Sequence, residues 1–484
     1  MAKLYNLISN QIIKKYNIND ININGITCDS RKIKKGYIFA VFRGVNRNGL
    51  NYINEAIRKG AVALLIDKKD IQNINCFSKI EIIPSSLPRK KYALICNKFN
   101  NYQFNNIIGV TGTNGKTSVA WFVNKLSKLS GIKSASIGTL GIDYNAGLKK
   151  NSLTTPESEE IVSALNHLYV KKVKHIIIEA SSHGLAQYRL DGVNFNIIAI
   201  TSLSRDHLDY HKTFKAYKVA KLRLFSEVSN QGVAIINKCV PDYKDFIEAA
   251  KSNNLKVVTI GSSVSANWKY KINNINNGIQ EIEVTFNKVK TKVYSNLIGS
   301  FQINNLITAI SIMVEMGFRR EKIEKLISRL KAPPGRVELI QRKKGANIYI
   351  DYAHTPDALE NVLVAIRPYI KNKLYLVFGC GGGRDKGKRQ LMGKIAYNYA
   401  DEIIITDDNP RYEDSSIIRK QIMDFCPNCT EISDRTKAIS KAINSLKKGD
   451  ALLIAGKGHE MVQEINGKFL KYNDADVIKK IIRS

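Results

Sequence analysis

The chain has 484 residues, with 75 Lys+Arg against 42 Asp+Glu for a formal charge of +33, and 44% of its residues are hydrophobic. Such a length divides into roughly three domains, each able to bury its own core, which excludes collagenous, disordered and small disulfide-bonded classes. No apolar run approaches the ~18 residues of a membrane helix, and the opening MAKLYNLISNQIIKKYNIN is polar where a signal peptide is apolar. A soluble cytoplasmic protein without stable membrane insertion is therefore expected.

In chain order, GYIFAVF and AVALLI read as the first buried strands. The polar stretch Asn97–Asn106 then separates them from IIGVTG, HIIIEA, NIIAITS and VAIIN, which alternate with helix-length amphipathic segments. Residues 263–294 switch to period-two alternation (IEVTF, TKVYS) and predict short antiparallel strands. Ala332-Pro333-Pro334-Gly335 breaks the chain after a helix ending near Arg329, and LYLVFG, EIIIT and ALLIAG follow as strands. The pattern is α/β: mainly parallel sheets covered by helices, with ligands expected beyond the carboxyl ends of the strands. Domains of residues 1–100, 101–333 and 334–484 are expected.

The seven cysteines (Cys28, Cys76, Cys96, Cys239, Cys380, Cys426, Cys429) are odd in number and scattered, as reduced thiols are. Cys426-Pro-Asn-Cys429 has metal-ligand spacing but lacks a second pair to complete a zinc shell. The basic residues are spread through every segment instead of gathered with aromatic platforms, so no nucleic-acid partner is expected; the charge favours anionic substrates, an attraction that salt screens.

The sharpest chemical signal is Gly112-Thr113-Asn114-Gly115-Lys116-Thr117-Ser118, after an apolar strand and before SVAWFVNKLSKL. Glycines let backbone N–H groups and a helix N-terminus face phosphates, Lys116 adds charge, and the Thr117 hydroxyl can ligate Mg²⁺. The strict GxxxxGK[ST] spacing would require glycine where Val110 stands. Two later strands end at Glu179, before Ser181-Ser182-His183, and at Ser204-Arg205-Asp206-His207-Leu208-Asp209. A carboxylate and an imidazole at those ends can hold a metal bridging phosphate oxygens.

GTNGKT, EASSHGL, LSRDHLDYH with Tyr217-Lys-Val-Ala-Lys221, GSFQINN, GRVE and DYAHTPDAL occur in this order, and the set resembles the Mur ligases of peptidoglycan synthesis. The resemblance implies a three-domain architecture: an N-terminal UDP-binding α/β domain, a central P-loop ATPase domain and a Rossmann-like C-terminal domain that binds an amino acid. It also implies an ATP-dependent amide ligase, with ATP as substrate, Mg²⁺ as cofactor and a monomeric enzyme. Asp408-Asn409-Pro410-Arg411 points to the branch that adds meso-2,6-diaminopimelate to UDP-N-acetylmuramoyl-L-alanyl-D-glutamate; an Arg fork suits the extra carboxylate that L-lysine lacks.

By the same resemblance Lys116, His207 and Lys221 are catalytic, with Lys221 carried as a carbamate. Thr117, Glu179, His207 and Lys221 form the metal sites, and Asn304, Arg336, Asp351 and His354 join the Gly112–Ser118 loop around ATP. Ser30, in the Asp29-Ser30-Arg31 echo, resembles a uridine contact. Thr154, Thr155, Ser181, Gln187 and Arg189 resemble contacts to the muramoyl peptide, and Arg384, Asp408, Asn409, Pro410, Arg411, Gly456 and Glu460 those to diaminopimelate. His207 and Asp209 are the candidate proton acceptors for the attacking amine. The alternatives are the lysine-adding form of the same ligase, a folylpolyglutamate synthase-like ligase and a P-loop nucleic-acid binder.

Overall fold

The computed structural model describes residues 2–44, 48–74, 80–100, 102–144, 147–149, 153–228, 232–263, 265–276 and 279–483; Cys76 lies outside them. Three large sheets follow one another along the chain. The first is a four-stranded parallel sheet of Gly25–Thr27, Tyr37–Ala40, Ala61–Asp67 and Glu81–Ser85, in that order. Phe39, Leu64 and Ile66 fill one face, and Ile38, Leu65 and Ile83 the other. Burial on both faces explains why these strands read as continuous apolar runs.

The second sheet has eleven strands. Its parallel centre runs Ser134–Gly138, His175–Glu179, Asn106–Thr111, Ile197–Ile200, Val233–Asn237, Lys256–Gly261. One edge continues into the antiparallel strands Trp268–Asn276, Ile279–Phe286 and Val289–Ser295, the segment whose alternation predicted them. Behind this sheet, helix Ser300–Glu315 lays Ile303, Leu306, Ile310 and Met313 against Phe122, Val123 and Leu126 of helix Lys116–Leu129. That packing, at roughly 1.5–3 kcal/mol per buried aliphatic or aromatic side chain, fixes the helix that opens at the glycine-rich loop.

The third sheet orders Glu338–Lys343, Ala346–Asp351, Ala451–Ala455, Leu374–Phe378, Glu402–Ile405 and Thr430–Glu431, parallel except for its first pair. Several strands are not among those expected: Gly25–Thr27, Glu81–Ser85, Ser134–Gly138 and Lys256–Gly261 in the first two sheets, and strand Glu338–Lys343 and the hairpin Val462–Ile465/Lys468–Lys471 in the C-terminal region. The last two, strand Glu338–Lys343 and the hairpin, are edge or surface elements rich in polar residues, so neither leaves an apolar run. Helix Ser300–Glu315, behind the second sheet, meets helix Pro356–Ile366 of the third closely at its N-cap Gly299, whose φ is +91° and where a Cβ would stand 2.5 Å from Ala365 Cβ. Among the described residues no helix is long and apolar enough to cross a membrane.

One buried ion pair ties the C-terminal helix Asp474–Arg483 to this third sheet. Arg435 donates Nε and Nη2 to the Asp474 carboxylate, both at 2.8 Å, and Nη2 also reaches the Ala455 carbonyl at 2.9 Å; both side chains are 0% exposed. Asp474→Ala strands a guanidinium in the core and is expected to cost about 3–5 kcal/mol of stability. Urea unfolding measures it, and a loss below about 1 kcal/mol would contradict this account of the pair.

Candidate active site

The strand Asn106–Thr111 runs between His175–Glu179 and Ile197–Ile200, with Glu179 in register with Val110 and Ile200 with Thr111. Three carboxyl ends therefore open together beside residues 112–115. Gly115 takes φ +89° at the N-cap of helix Lys116–Leu129, and a Cβ there would run into Asn305 Oδ1. Glycine meets both demands, and the first N–H groups of the helix are left facing the loop, the arrangement that binds phosphate.

Lys116 Nζ donates to the carbonyls of Gly112 (2.8 Å) and Thr113 (2.9 Å). Burial lowers its pKa, Arg336 adds to the effect, and Glu179 and Asp206 oppose it; a phosphate anion at this ammonium would relieve the desolvation. Thr117 Oγ1 donates to Glu179 Oε2 at 2.9 Å, and Thr139 holds the same carboxylate with its N–H and its Oγ1, each at 3.0 Å. Asn114 N–H donates to Ser202 Oγ (2.8 Å), Thr113 Oγ1 donates to the Ser204 carbonyl (3.1 Å), and Ser118 is buried in the first turn of the helix. The loop is thus stitched to the segment that follows Ile200.

Lys221 is 1% exposed, the reverse of a solvated helix lysine. Its Nζ donates to the Gly112 carbonyl at 2.8 Å and lies 4.5 Å from the centre of the Tyr217 ring. Burial first, and then Lys116, hold its pKa well below the lysine range. His207, at φ +54°, sits 3.4 Å from Asp206 through Nε2, and its ring is 4.7 Å from that of His183. Burial brings His183, His207 and His211 each down to about 4, so these imidazoles are neutral at pH 7.

Five of the six residues matched to the nucleotide-sugar peptide share one network that starts at Glu179. Thr155 Oγ1 donates to the Glu179 carbonyl (2.6 Å) and accepts the Ser181 N–H (2.9 Å); Thr154 Oγ1 is 3.1 Å from Thr139 Oγ1. Arg189 donates to the Thr155 carbonyl (2.8 Å) and to Gln187 Oε1 (2.7 Å). Ser30 is not part of it. It stands in the N-terminal domain with its Oγ donating to Glu55 Oε2 at 2.9 Å, while nearby Lys32 bridges to Glu159 and Glu160 of the central domain.

The C-terminal domain brings a second set. Asp351 is buried, accepts the N–H groups of Val337 and Ala353 at 2.7 Å each, and is pushed up by burial to about 6. The Arg336 guanidinium lies 4.6 Å over the Tyr352 ring, and Lys388 donates to the His354 carbonyl at 2.9 Å. Arg336 Nε and Asn304 Oδ1 are buried with no hydrogen-bond partner among the described residues. Buried polar atoms of that kind call for a ligand or water.

Between the central and C-terminal domains lies a cavity of about 380 Å³. Asp206, His207, Asp209 and His354 line it together with Arg384, Asp408, Asn409, Arg411, Gly456 and Glu460, so residues predicted from five separate stretches of sequence share one cleft. Arg411 has φ +55° and donates Nε to Glu464 (3.0 Å) and Nη1 to the Gly382 carbonyl (2.7 Å). Asn409 is a brace: Nδ2 donates to Glu460 (2.9 Å), and Oδ1 accepts from the buried Lys457 (2.9 Å) and from Glu464 N–H (3.0 Å). The Pro410 carbonyl packs on Gly382, where a Cβ would collide with it, and Asp408 Oδ2 is buried without a partner. Arg384 Nη1 is 3.9 Å from Asp209 Oδ2 across the cleft. Burial pushes the Cys426 thiol up to about 12, and Cys426 belongs to the C-terminal core.

For Mg²⁺, the Thr117 hydroxyl and Glu179 carboxylate are hard oxygen donors beside a phosphate cradle, and they fit. Among the described residues no group of three or more His, Cys, Asp or Glu could hold a metal unaided; the remaining ligands would be phosphate oxygens and water. The motifs gave no role to Thr139, which orients Glu179, or to Glu464, which braces Asn409 and Arg411; Lys457, which braces Asn409, and His459, whose ring lies 5.1 Å from Tyr352, belong to the stretch Gly456–Glu460 that the resemblance sets around the incoming amino acid. Thr139 lies outside every motif, whereas Lys457 and His459 stand between Gly456 and Glu460, both matched to diaminopimelate, so their position was a usable signal.

Family models match in the same three blocks: the Mur ligase family catalytic domain over residues 22–98, the Mur ligase middle domain over 110–313, and the Mur ligase glutamate ligase domain over 335–458. The UDP-N-acetylmuramoyl-L-alanyl-D-glutamate--2,6-diaminopimelate ligase of Agrobacterium fabrum is 38% identical over 467 residues, covering 96% of this chain and 94% of that protein. A solved structure of a ligase of the same name aligns with a TM-score of 0.69 at 30% identity, covering 98% of both chains. The fold is shared with a MurF ligase from Thermotoga maritima in complex with ADP, at a TM-score of 0.61 and 16% identity over 94% of this chain and 96% of that one. With a phosphate cradle, a buried lysine beside it and an arginine-lined cleft joined in one chain, and relatives matching from end to end, this protein belongs to the Mur ligase family.

Proposed function

We infer that the protein is an ATP-dependent amide ligase that joins meso-2,6-diaminopimelate to the D-glutamyl carboxylate of UDP-N-acetylmuramoyl-L-alanyl-D-glutamate, in cytoplasmic assembly of the peptidoglycan precursor. The observation that carries this reading is the cleft shared by His207 and Asp209 of the central domain and by Arg384, Asp408 and Arg411 of the C-terminal domain.

The loop N–H groups and Lys116 bind the ATP phosphates, and Asp351, Arg336 and Asn304 hold the nucleoside. The peptide carboxylate, oriented by the network of Thr154, Thr155, Ser181, Gln187 and Arg189, attacks the γ-phosphorus. An O–P bond forms, ADP leaves, and the product is an acyl phosphate. The diaminopimelate amine then attacks the acyl carbon, a proton passes to His207 or Asp209, and phosphate departs. Neutral His207 suits that role. Thr117 and Glu179 would hold Mg²⁺, which would supply positive charge against the ATP phosphate oxygens. Lys116 and the helix N-terminus stabilise charge that grows on the same oxygens, the contribution on which phosphoryl transfer depends most.

Incubation with ATP, Mg²⁺, the UDP-linked dipeptide and equal diaminopimelate and L-lysine tests this reading by product mass. The diaminopimelate adduct is expected; the lysine adduct would assign the sister specificity, and no adduct would end the reading. Arg411→Ala is expected to lower kcat/KM for diaminopimelate about 10–100-fold, the worth of one charge-assisted carboxylate contact. Unchanged turnover would remove Arg411 from recognition.

Asp351 gives a pH signature. Its carboxyl is raised to about 6 by burial, so protonation as pH falls through 6 removes the anion that would accept the ribose hydroxyls. The kcat/KM for ATP is expected to decline below pH 6, with that limb lost in Asp351→Asn. A wild-type profile flat from pH 5 to 8 would contradict it.

A further inference from the structure

Helix Pro356–Ile366 of the C-terminal domain points its first turn at the nucleotide loop. Asp357 Oδ1 accepts from Asn361 Nδ2 at 3.2 Å, and Asn361 also reaches the Asp357 carbonyl at 2.7 Å, which fixes the side chain on its own helix. The other oxygen, Oδ2, leaves that helix and accepts from two groups of the central domain: Asn114 Nδ2 at 3.2 Å and Ser204 Oγ at 3.1 Å. Asn114 belongs to the glycine-rich loop. Ser204 grips the loop's other side, its N–H donating to Thr113 Oγ1 (2.9 Å) and its carbonyl accepting from the same hydroxyl (3.1 Å). One carboxylate oxygen thus ties both halves of the loop's support to the opposite domain.

Gln302 Nε2 also donates across this seam, to the Arg336 carbonyl at 3.4 Å, and two charge pairs cross it. Arg205–Asp385 at 3.8 Å and Arg384–Asp209 at 3.9 Å are largely exposed pairs, 66%/36% and 52%/41%, of the sort that contributes little. Asp357 is exposed as well, but its contacts are two direct hydrogen bonds, at 3.2 and 3.1 Å, that converge on one carboxylate oxygen, and a carboxylate acceptor makes such bonds stronger than neutral ones.

We propose that Asp357 is a positioning residue for ATP: by holding Asn114 and Ser204 it sets the loop in its phosphate-binding shape only when the C-terminal domain is docked, so that nucleotide binding and domain closure become one equilibrium. Linkage then requires ATP to favour the docked arrangement by the same factor by which docking tightens ATP. The inference rests on the ligase reading for its substrate, but not for the seam.

The test is Asp357→Ala beside Asp357→Asn, whose amide oxygen can still accept from both partners. Asp357→Ala is expected to raise KM for ATP about tenfold, with KM for diaminopimelate little changed, and Asp357→Asn to recover most of the loss. In a double-mutant cycle, Asn114→Ala added to Asp357→Ala should cost much less than the sum of the two single effects. Small-angle scattering, which needs no turnover, should show a larger radius of gyration for Asp357→Ala than for wild type. Additive effects, no rescue by Asn, or wild-type KM with an unchanged radius would each overturn the proposal. An inactive wild type whose radius still responds to Asp357→Ala would leave the seam intact and refute the ligase reading instead.

Discussion

Lys116→Ala is expected to reduce turnover by at least about 10²–10³-fold at saturating ATP while leaving the fold intact. The lysine Nζ bonds two carbonyls of its own loop, and Lys116 is not a member of the hydrophobic clusters of the core. Burial and Arg336 make its charge costly in the free protein. That cost is repaid only against the phosphate oxygens, and most fully when the γ-phosphoryl group is in flight, so the loss should fall on kcat more than on binding. Single-turnover measurement of acyl transfer, with circular dichroism as the fold control, checks this. Turnover within threefold of wild type would place the phosphates elsewhere.

The second large effect belongs to Lys221. An amine wrapped by the Tyr217 ring and the Gly112 carbonyl, and held by burial well below its usual pKa, gives up its proton more readily than a solvated lysine, and the free amine would attack CO₂. The nitrogen forms a bond to the carbon of CO₂ and loses a proton, which leaves a carbamate anion. Lys116 disfavours an ammonium at Lys221, whereas a carbamate anion there would be attracted to it. Lys221→Ala is expected to abolish measurable turnover, about 10²-fold or more, with partial recovery in acetate or another short carboxylate. A ¹³C signal from labelled CO₂ bound to wild type and missing in the variant is the independent readout. A fully active Lys221→Ala would remove the modification from the chemistry.

How far these roles could be read from sequence differed by residue. The phosphate cradle was legible because it is local: strand, glycines, lysine and helix follow one another, and Val110 in place of glycine did not disturb it, since Gly112 and Gly115 supply the positive φ values. Glu179 was legible at one remove, because parallel neighbours bring their carboxyl ends together. Lys221 was harder. Its type says solvent, yet Tyr217, Ala220, Lys221 and Leu224 recur at i, i+3, i+4 and i+7 along one buried stripe, a sign that this lysine faces inward. Asp357 to Asn114, 243 residues apart, and Arg435 to Asp474 left no such mark. Their pairing is decided by how whole domains and layers dock, and a carboxylate at the start of a helix looks the same whether it caps, is solvated or reaches across a seam.

The central claim is that the terminal phosphoryl group of ATP is delivered to the peptide acid before any amide bond forms. Dipeptide substrate carrying ¹⁸O in its D-glutamyl carboxylate tests it directly. The account predicts one ¹⁸O atom in each inorganic phosphate released as amide is made. Phosphate free of label, with amide formed at the normal rate, would contradict it.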